Sequence, residues 1–193
     1  MAQEVHCLYC FDVLASHLHQ TQSPDPPFPT DASFPLFVTW NKRNQHGQHD
    51  LRGCIGCLSP LPITSLKDYA LTSALNDRRF APIDARELPQ LQCTVSLLTN
   101  FEQARGLDDW TIGPHGVLID YVDPAGQART AVYLPDVIPE QGWSKAETID
   151  SLVRKSGYSG QITDSLRSKI KLTRYQSTKC TVSYDTWLSI RGG

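Results

Sequence analysis

The residues best placed to do chemistry lie in one short run, Leu51-Arg52-Gly53-Cys54-Ile55-Gly56-Cys57-Leu58. A thiol stands between two glycines, two residues after an arginine. Interior glycines weaken a strand that serves only burial. They make sense where a backbone or a ligand approaches closely, or where φ is positive. A nearby cation is one way to favour a thiolate and so make a sulfur nucleophilic. Cys54 is therefore a candidate nucleophile, and Arg52, Gly53 and Gly56 are candidate ligand contacts. The alternative is that Cys54 is a small core residue and Gly53 a bulge, since free cysteine is among the most buried residue types.

Three further sets bear on the chemistry. His115, in the turn Gly113-Pro114-His115-Gly116, could serve as a base for Cys54, because a histidine in reach can take the proton and stabilise the anion. It could equally cap its own turn. Arg52, Arg78 and Arg79 could grip a carboxylate or phosphate, since arginine forks bind such groups bidentately. Against that, Asp77 beside Arg78 fits a solvated helix end. The pairs Cys7-x-x-Cys10 and Cys54-x-x-Cys57 have zinc-knuckle spacing. Their expected settings, mid-helix and mid-strand, are not the tight turns that knuckles occupy, so no metal and no cofactor is expected.

Composition sets the frame for these sites. The 193 residues are enough for a substantial core in one domain, and 40% hydrophobic with 20% charged residues is ordinary for a soluble protein. A net charge of −2 gives no strong nucleic-acid signal. No apolar run could span a membrane, and the N-terminus has no secretory pattern. Six cysteines without such a signal read as reduced thiols in the cytoplasm or nucleus.

The positioning elements follow from periodicity. Residues 4–20 carry apolar side chains at three- and four-residue steps, an amphipathic helix. The prolines of 21–33 make an extended connector. Residues 34–42 and 51–58 form a hairpin around the polar turn 43–50, which places the focal run on a sheet strand. A helix follows over 65–77, with Ser65 as its N-cap. Residues 91–99 alternate as a strand with Cys93 inward, and 117–122 with 128–134 form a second hairpin. The box Ser144-Lys145-Ala146-Glu147 starts a helix that Gly157 ends. A β-rich tail runs over 169–184. Two hairpins, each followed by a helix, predict an α+β fold of mostly antiparallel sheet with packed helices.

The run Leu51-Arg52-Gly53-Cys54-Ile55-Gly56 resembles the signature of the AMMECR (AMME chromosomal region) family, in its eukaryotic branch. Tyr9-Cys10-Phe11-Asp12-Val13-Leu14, Leu71-Thr72-Ser73-Ala74-Leu75, Asp77, Arg79-Phe80, Pro82, Leu134-Pro135-Asp136-Val137 and Ile170-Lys171-Leu172-Thr173-Arg174-Tyr175 extend the resemblance almost end to end. It implies a single domain over 1–193 built of two subdomains, with the signature near a cleft. It implies either an enzyme with a reactive cysteine acting on a small or macromolecular substrate, or a non-catalytic regulatory protein that binds a partner; Arg79, from the arginine cluster, is a further candidate ligand contact. A Memo-type protein is an implied partner. Close relatives usually carry Thr where this chain has Cys57, which makes the second Cys-x-x-Cys incidental.

Overall fold

A computed structural model of the chain describes residues 1–191. The elements in order are α1 (Glu4–Leu18), β1 (Ser33–Arg43), β2 (His49–Pro62), α2 (Leu66–Leu75), β3 (Leu91–Gln103), β4 (Gly116–Val122) and β5 (Ala128–Tyr133). They continue with α3 (Val137–Gln141), α4 (Lys145–Lys155), α5 (Asp164–Arg167), β6 (Lys171–Ser183) and α6 (Tyr184–Arg191). The fold is α+β, as periodicity predicts. The strand order is β2-β1-β3-β6-β4-β5. The chain divides into two units, residues 1–98 with 178–193, and residues 99–177.

In the first unit, β1 runs antiparallel to both β2 and β3. Its alternation sends Leu36, Val38 and Trp40 into the core, where they meet α1 and α2. Trp40 is fully buried, and its indole N–H donates to the Ala70 carbonyl of α2 at 3.0 Å. The opposite face of β1 carries Phe37, Thr39 and Asn41, all partly exposed. The α1 helix is not the one-faced amphipathic helix that its spacing predicts: Leu8, Tyr9, Cys10 and Phe11 are all buried. The reason is that it is covered from several sides. Phe28 of the proline-rich connector packs edge-on against His6 and Tyr9, while Trp187 of α6 stacks on Phe11 at 5.7 Å. The β-rich tail expected over 169–184 forms as β6, and α6 follows it from Tyr184, where the sequence suggests no helix. Ser65 belongs to a 3₁₀ turn that leads into α2, and its side chain makes no cap bond.

In the second unit, the β4–β5 hairpin packs Val117, Ile119 and Ala131 against Ile149, Leu152 and Val153 of α4. The Ser144 box forms as expected: the Ser144 hydroxyl accepts from the Glu147 N–H, and the Glu147 carboxylate accepts from the Ser144 N–H. Gly157, at φ +85°, follows the helix end. Among the described residues, no helix is long and apolar enough to cross a membrane.

Candidate functional site

The β2 strand is distorted at the signature. Leu51 pairs with Asn41 and Gly53 with Trp40, so Arg52 is an extra, bulged residue. Bulges re-aim side chains. Here the Arg52 fork is sent to Glu87, with Nε to Oε2 at 3.0 Å and Nη2 to Oε1 at 2.9 Å, and on to the carbonyls of Ala81 and Pro82. Lys42 adds a third bond to Glu87 at 2.8 Å. Burial alone would raise the Glu87 carboxyl, but the hydrogen bonds from Arg52 and Lys42 outweigh it and hold the group down at about 2. Four of the five Arg52 N–H groups are used within this network, so Arg52 serves to fix the 81–90 segment against β2. The sequence carried a signal for this partner: Asp84-Ala-Arg-Glu87 is a capping box, and it forms around a 3₁₀ helix at 85–90.

The two glycines lie on opposite faces of β2, and each has a packing reason. A Cβ on Gly53 would lie 2.0 Å from the Ser73 carbonyl oxygen, so α2 crosses the strand there in backbone contact. A Cβ on Gly56 would lie 2.2 Å from the Phe37 ring. Close approach explains both, by a backbone in one case and a ring in the other.

Cys54 faces away from the helices, opposite Thr39, and is partly exposed. The Thr39 hydroxyl donates to Sγ at 3.2 Å. The backbone of Cys54 is held from outside the sheet. Its N–H donates to Asp77 Oδ2 at 2.9 Å, and its carbonyl accepts from Arg79 Nη2 at 3.2 Å. Asp77 is only 5% exposed and also accepts from Arg79 Nε at 3.0 Å and Nη2 at 2.7 Å. The Arg79 bonds, with those from the Cys54 and Arg79 amides, hold the Asp77 carboxyl well below the usual carboxylate range despite burial. Arg79 remains 56% exposed at its side chain. Burial lowers the ammonium of Lys179 on β6. Sequence reasoning singled out Arg79 but missed Asp77 as the partner of the Cys54 amide.

The remaining candidates have partners of their own. His115 closes its own turn: its N–H donates to the Thr111 carbonyl at 3.1 Å, and its Nδ1 accepts from the Thr111 N–H at 2.9 Å. A neutral ring held this way carries its proton on Nε2, where it donates rather than accepts. Cys57 pairs with Leu36 and so lies on the strand face opposite Cys54. Cys7, Cys10 and Cys93 are fully buried, and the Cys7 thiol donates to the Cys180 carbonyl at 3.0 Å. Burial pushes Cys93 well up and Cys180 to about 11, with the neighbouring Cys7 adding to both. Among the described residues, no group of three or more His, Cys, Asp or Glu side chains is arranged to hold a metal.

Residues 7–180 match the model of the AMMECR1 family. The chain belongs to that family. It is 53% identical over 184 residues to the uncharacterized protein At2g38710 of Arabidopsis thaliana, covering 94% of this chain and 86% of that one. It is 35% identical over 212 residues to the uncharacterized protein YOR289W of Saccharomyces cerevisiae, covering 92% and 84%. In fold, the AMMECR1 chain resembles the crystal structure of the uncharacterized protein PH0010 from Pyrococcus horikoshii. The TM-score is 0.74 at 23% identity, over 92% of this chain and 90% of that one.

Proposed function

We propose that this AMMECR1-family protein is a cysteine-dependent enzyme in which Cys54 is the nucleophile towards an electrophilic carbon of a small or macromolecular substrate. The observation that carries this reading is the treatment of Cys54. Its backbone is clamped on the outer side of the strand by Asp77 and Arg79, while its sulfur stays partly exposed and takes a hydroxyl hydrogen bond. Cys10 and Cys93, by contrast, are fully buried in the core. In the step, the sulfur lone pair forms an S–C bond, the electron pair displaced at carbon moves to its oxygen or leaving atom, and the thiol proton passes to solvent. The Thr39 hydroxyl donates to the sulfur and orients it for attack. Arg79 is the ligand contact at the rim, and His115 contributes by shaping its turn.

A second reading has its own support. Arg52, Gly53 and Gly56 all serve packing, which suits a non-catalytic protein whose signature strand docks a regulatory partner, a Memo-type protein among them. Six free cysteines favour a reducing, cytoplasmic or nuclear setting under either reading.

Site-resolved alkylation with mass spectrometry separates the two. The enzyme reading expects Cys54 to label well before Cys7, Cys10 and Cys93 in the folded protein, with Thr39→Val slowing it several-fold. Labelling of Cys54 only on unfolding would overturn it.

A further inference from the structure

In the second unit, the end of the β3–β6 pair gathers two cations that have no bonded counterion. The strands run antiparallel there: Glu102 pairs with Arg174 at 2.9 Å, and the Ala104 N–H donates to the Leu172 carbonyl at 2.9 Å. Arg105 follows Ala104 and Lys171 precedes Leu172, so the two flank that last bond. Both line a cavity of about 370 Å³, together with Gln103, Ser168 and Arg167. Among the described residues no carboxylate lines it. Arg167 is committed to Asp150 at 2.8 Å and Asp164 at 3.3 Å. Arg105 and Lys171 are exposed, and among the described residues neither side chain makes a hydrogen bond or ion pair. The Arg105 charge favours that of Asp109, but the Asp109 carboxylate is already bonded by Arg174 at 2.9 Å and by the Arg105 N–H at 3.0 Å. Asp120 stands opposite Lys171 in the β4–β6 register without bonding it.

A second cavity of about 310 Å³ adjoins the first and shares Leu107 and Arg167 with it. Its lining is mostly apolar, with Ala146 and Ile149 of α4 beside Leu107. Lys145 at its rim is taken up by the Asp108 carbonyl at 2.7 Å and by the Trp110 ring. Asp108 also lines it, which disfavours a second anionic group there. Two cations brought to one cavity repel each other, and a dianion between them removes that cost. A carboxylate would answer only one of the two charges. We infer that this end of the second unit binds a small phosphomonoester, with its dianionic phosphate between Arg105 and Lys171 and an uncharged apolar body against Leu107, Ala146 and Ile149. The guanidinium grips two phosphate oxygens as a fork, and the ammonium acts as a point charge on the third. The site makes no use of Cys54 and stands or falls apart from the reading of that residue.

The test is calorimetric titration of the full chain with phenyl phosphate, phenyl sulfate and inorganic phosphate at low salt and slightly alkaline pH. Phenyl sulfate keeps the shape of phenyl phosphate but carries a single negative charge. Phenyl phosphate should bind saturably and phenyl sulfate several-fold more weakly, with added salt eroding the difference. Inorganic phosphate should bind more weakly than phenyl phosphate, because it has no body for the apolar cavity. Arg105→Gln and Lys171→Gln should each weaken phenyl phosphate roughly three- to tenfold. Arg78→Gln, which removes an exposed cation of the first unit, should not. Thermal melts check that each variant is folded, and amide shifts on titration should concentrate in residues 103–107 and 167–172. Equal affinity for phenyl phosphate and phenyl sulfate, undiminished binding in both Gln variants, or no saturable binding at millimolar ligand overturns the phosphomonoester assignment. Inorganic phosphate that binds as tightly as phenyl phosphate overturns the part given to the apolar cavity.

Discussion

Replacing Asp77 with asparagine probes the clamp on Cys54 with almost no change in volume. Asp77 accepts four hydrogen bonds: from the Cys54 N–H at 2.9 Å, the Arg79 N–H at 3.2 Å, Arg79 Nε at 3.0 Å and Arg79 Nη2 at 2.7 Å. Asparagine offers one oxygen. If that oxygen keeps the Arg79 N–H and Nε bonds, the new amide group points its own hydrogens at two donors, the Cys54 N–H and Arg79 Nη2. Each lost charge-assisted bond is worth about 1.5–3 kcal/mol, and because Arg79 can recover water at its exposed side we expect a net loss of about 2–4 kcal/mol. For a chain of this size that corresponds to a fall in melting temperature of roughly 5–15 °C. The effect also has a pH signature. The folded carboxyl sits below its unfolded value, so its stabilisation is fully present above the unfolded value of about 3.9 and is lost as pH falls through the folded one. The difference between wild type and Asp77→Asn should therefore be largest near neutrality and shrink in acid. Thermal melts at a series of pH values, with amide exchange at Cys54, measure this. An Asp77→Asn protein that melts within about 2 °C of wild type and keeps the Cys54 amide protected would refute the clamp.

Three further outcomes follow from the same geometry. Gly53→Ala should lower stability by about 1–3 kcal/mol or prevent folding, because its Cβ meets backbone rather than a movable side chain; a neutral result in urea unfolding would mean that α2 does not touch β2 there. Glu87→Gln should cost roughly 1–3 kcal/mol after allowance for solvent screening, and the loss should disappear as pH drops from about 4.5 towards 2, the range over which the native carboxylate itself protonates. A constant difference across that range would exclude Glu87 as its source. His115→Phe should remove at most about 1 kcal/mol, because the exposed Thr111 N–H can turn to water, yet leave the iodoacetamide rate at Cys54 unaltered; a several-fold fall in that rate would identify the histidine as a base.

The parts of this protein legible in sequence were those set by local periodicity and local bonds. The two hairpins, the Ser144 box and the inward Cys93 are read from a few neighbouring residues. The α1 helix shows where that reading stops. Its spacing predicts one apolar face, whereas Phe28 and Trp187 bury further sides, and no window of 18 residues contains them. The glycines of the signature were marked as places of close approach, but what approaches, Ser73 and Phe37, depends on tertiary packing. A bulge turns Arg52 towards Glu87, while Arg79, which follows α2, bonds the Cys54 carbonyl.

The division of the chain has a consequence for how the protein is made. The first unit consists of residues 1–98 and 178–193, with the whole second unit translated in between. A ribosome that has released Cys54, Thr39 and Asp77 has not yet made Lys179 or Thr181, and Val182 is still missing from the core that α1 enters. The first unit must wait, incompletely closed, while residues 99–177 emerge and fold. Sequence-distant pairing of this kind slows folding and prolongs exposure of unpaired strand. A nascent chain arrested anywhere before residue 178 therefore carries the complete signature without the strand end that completes its core. Site assembly becomes a late event, and truncations or slow-folding variants in the second unit should disable the first without altering any of its residues.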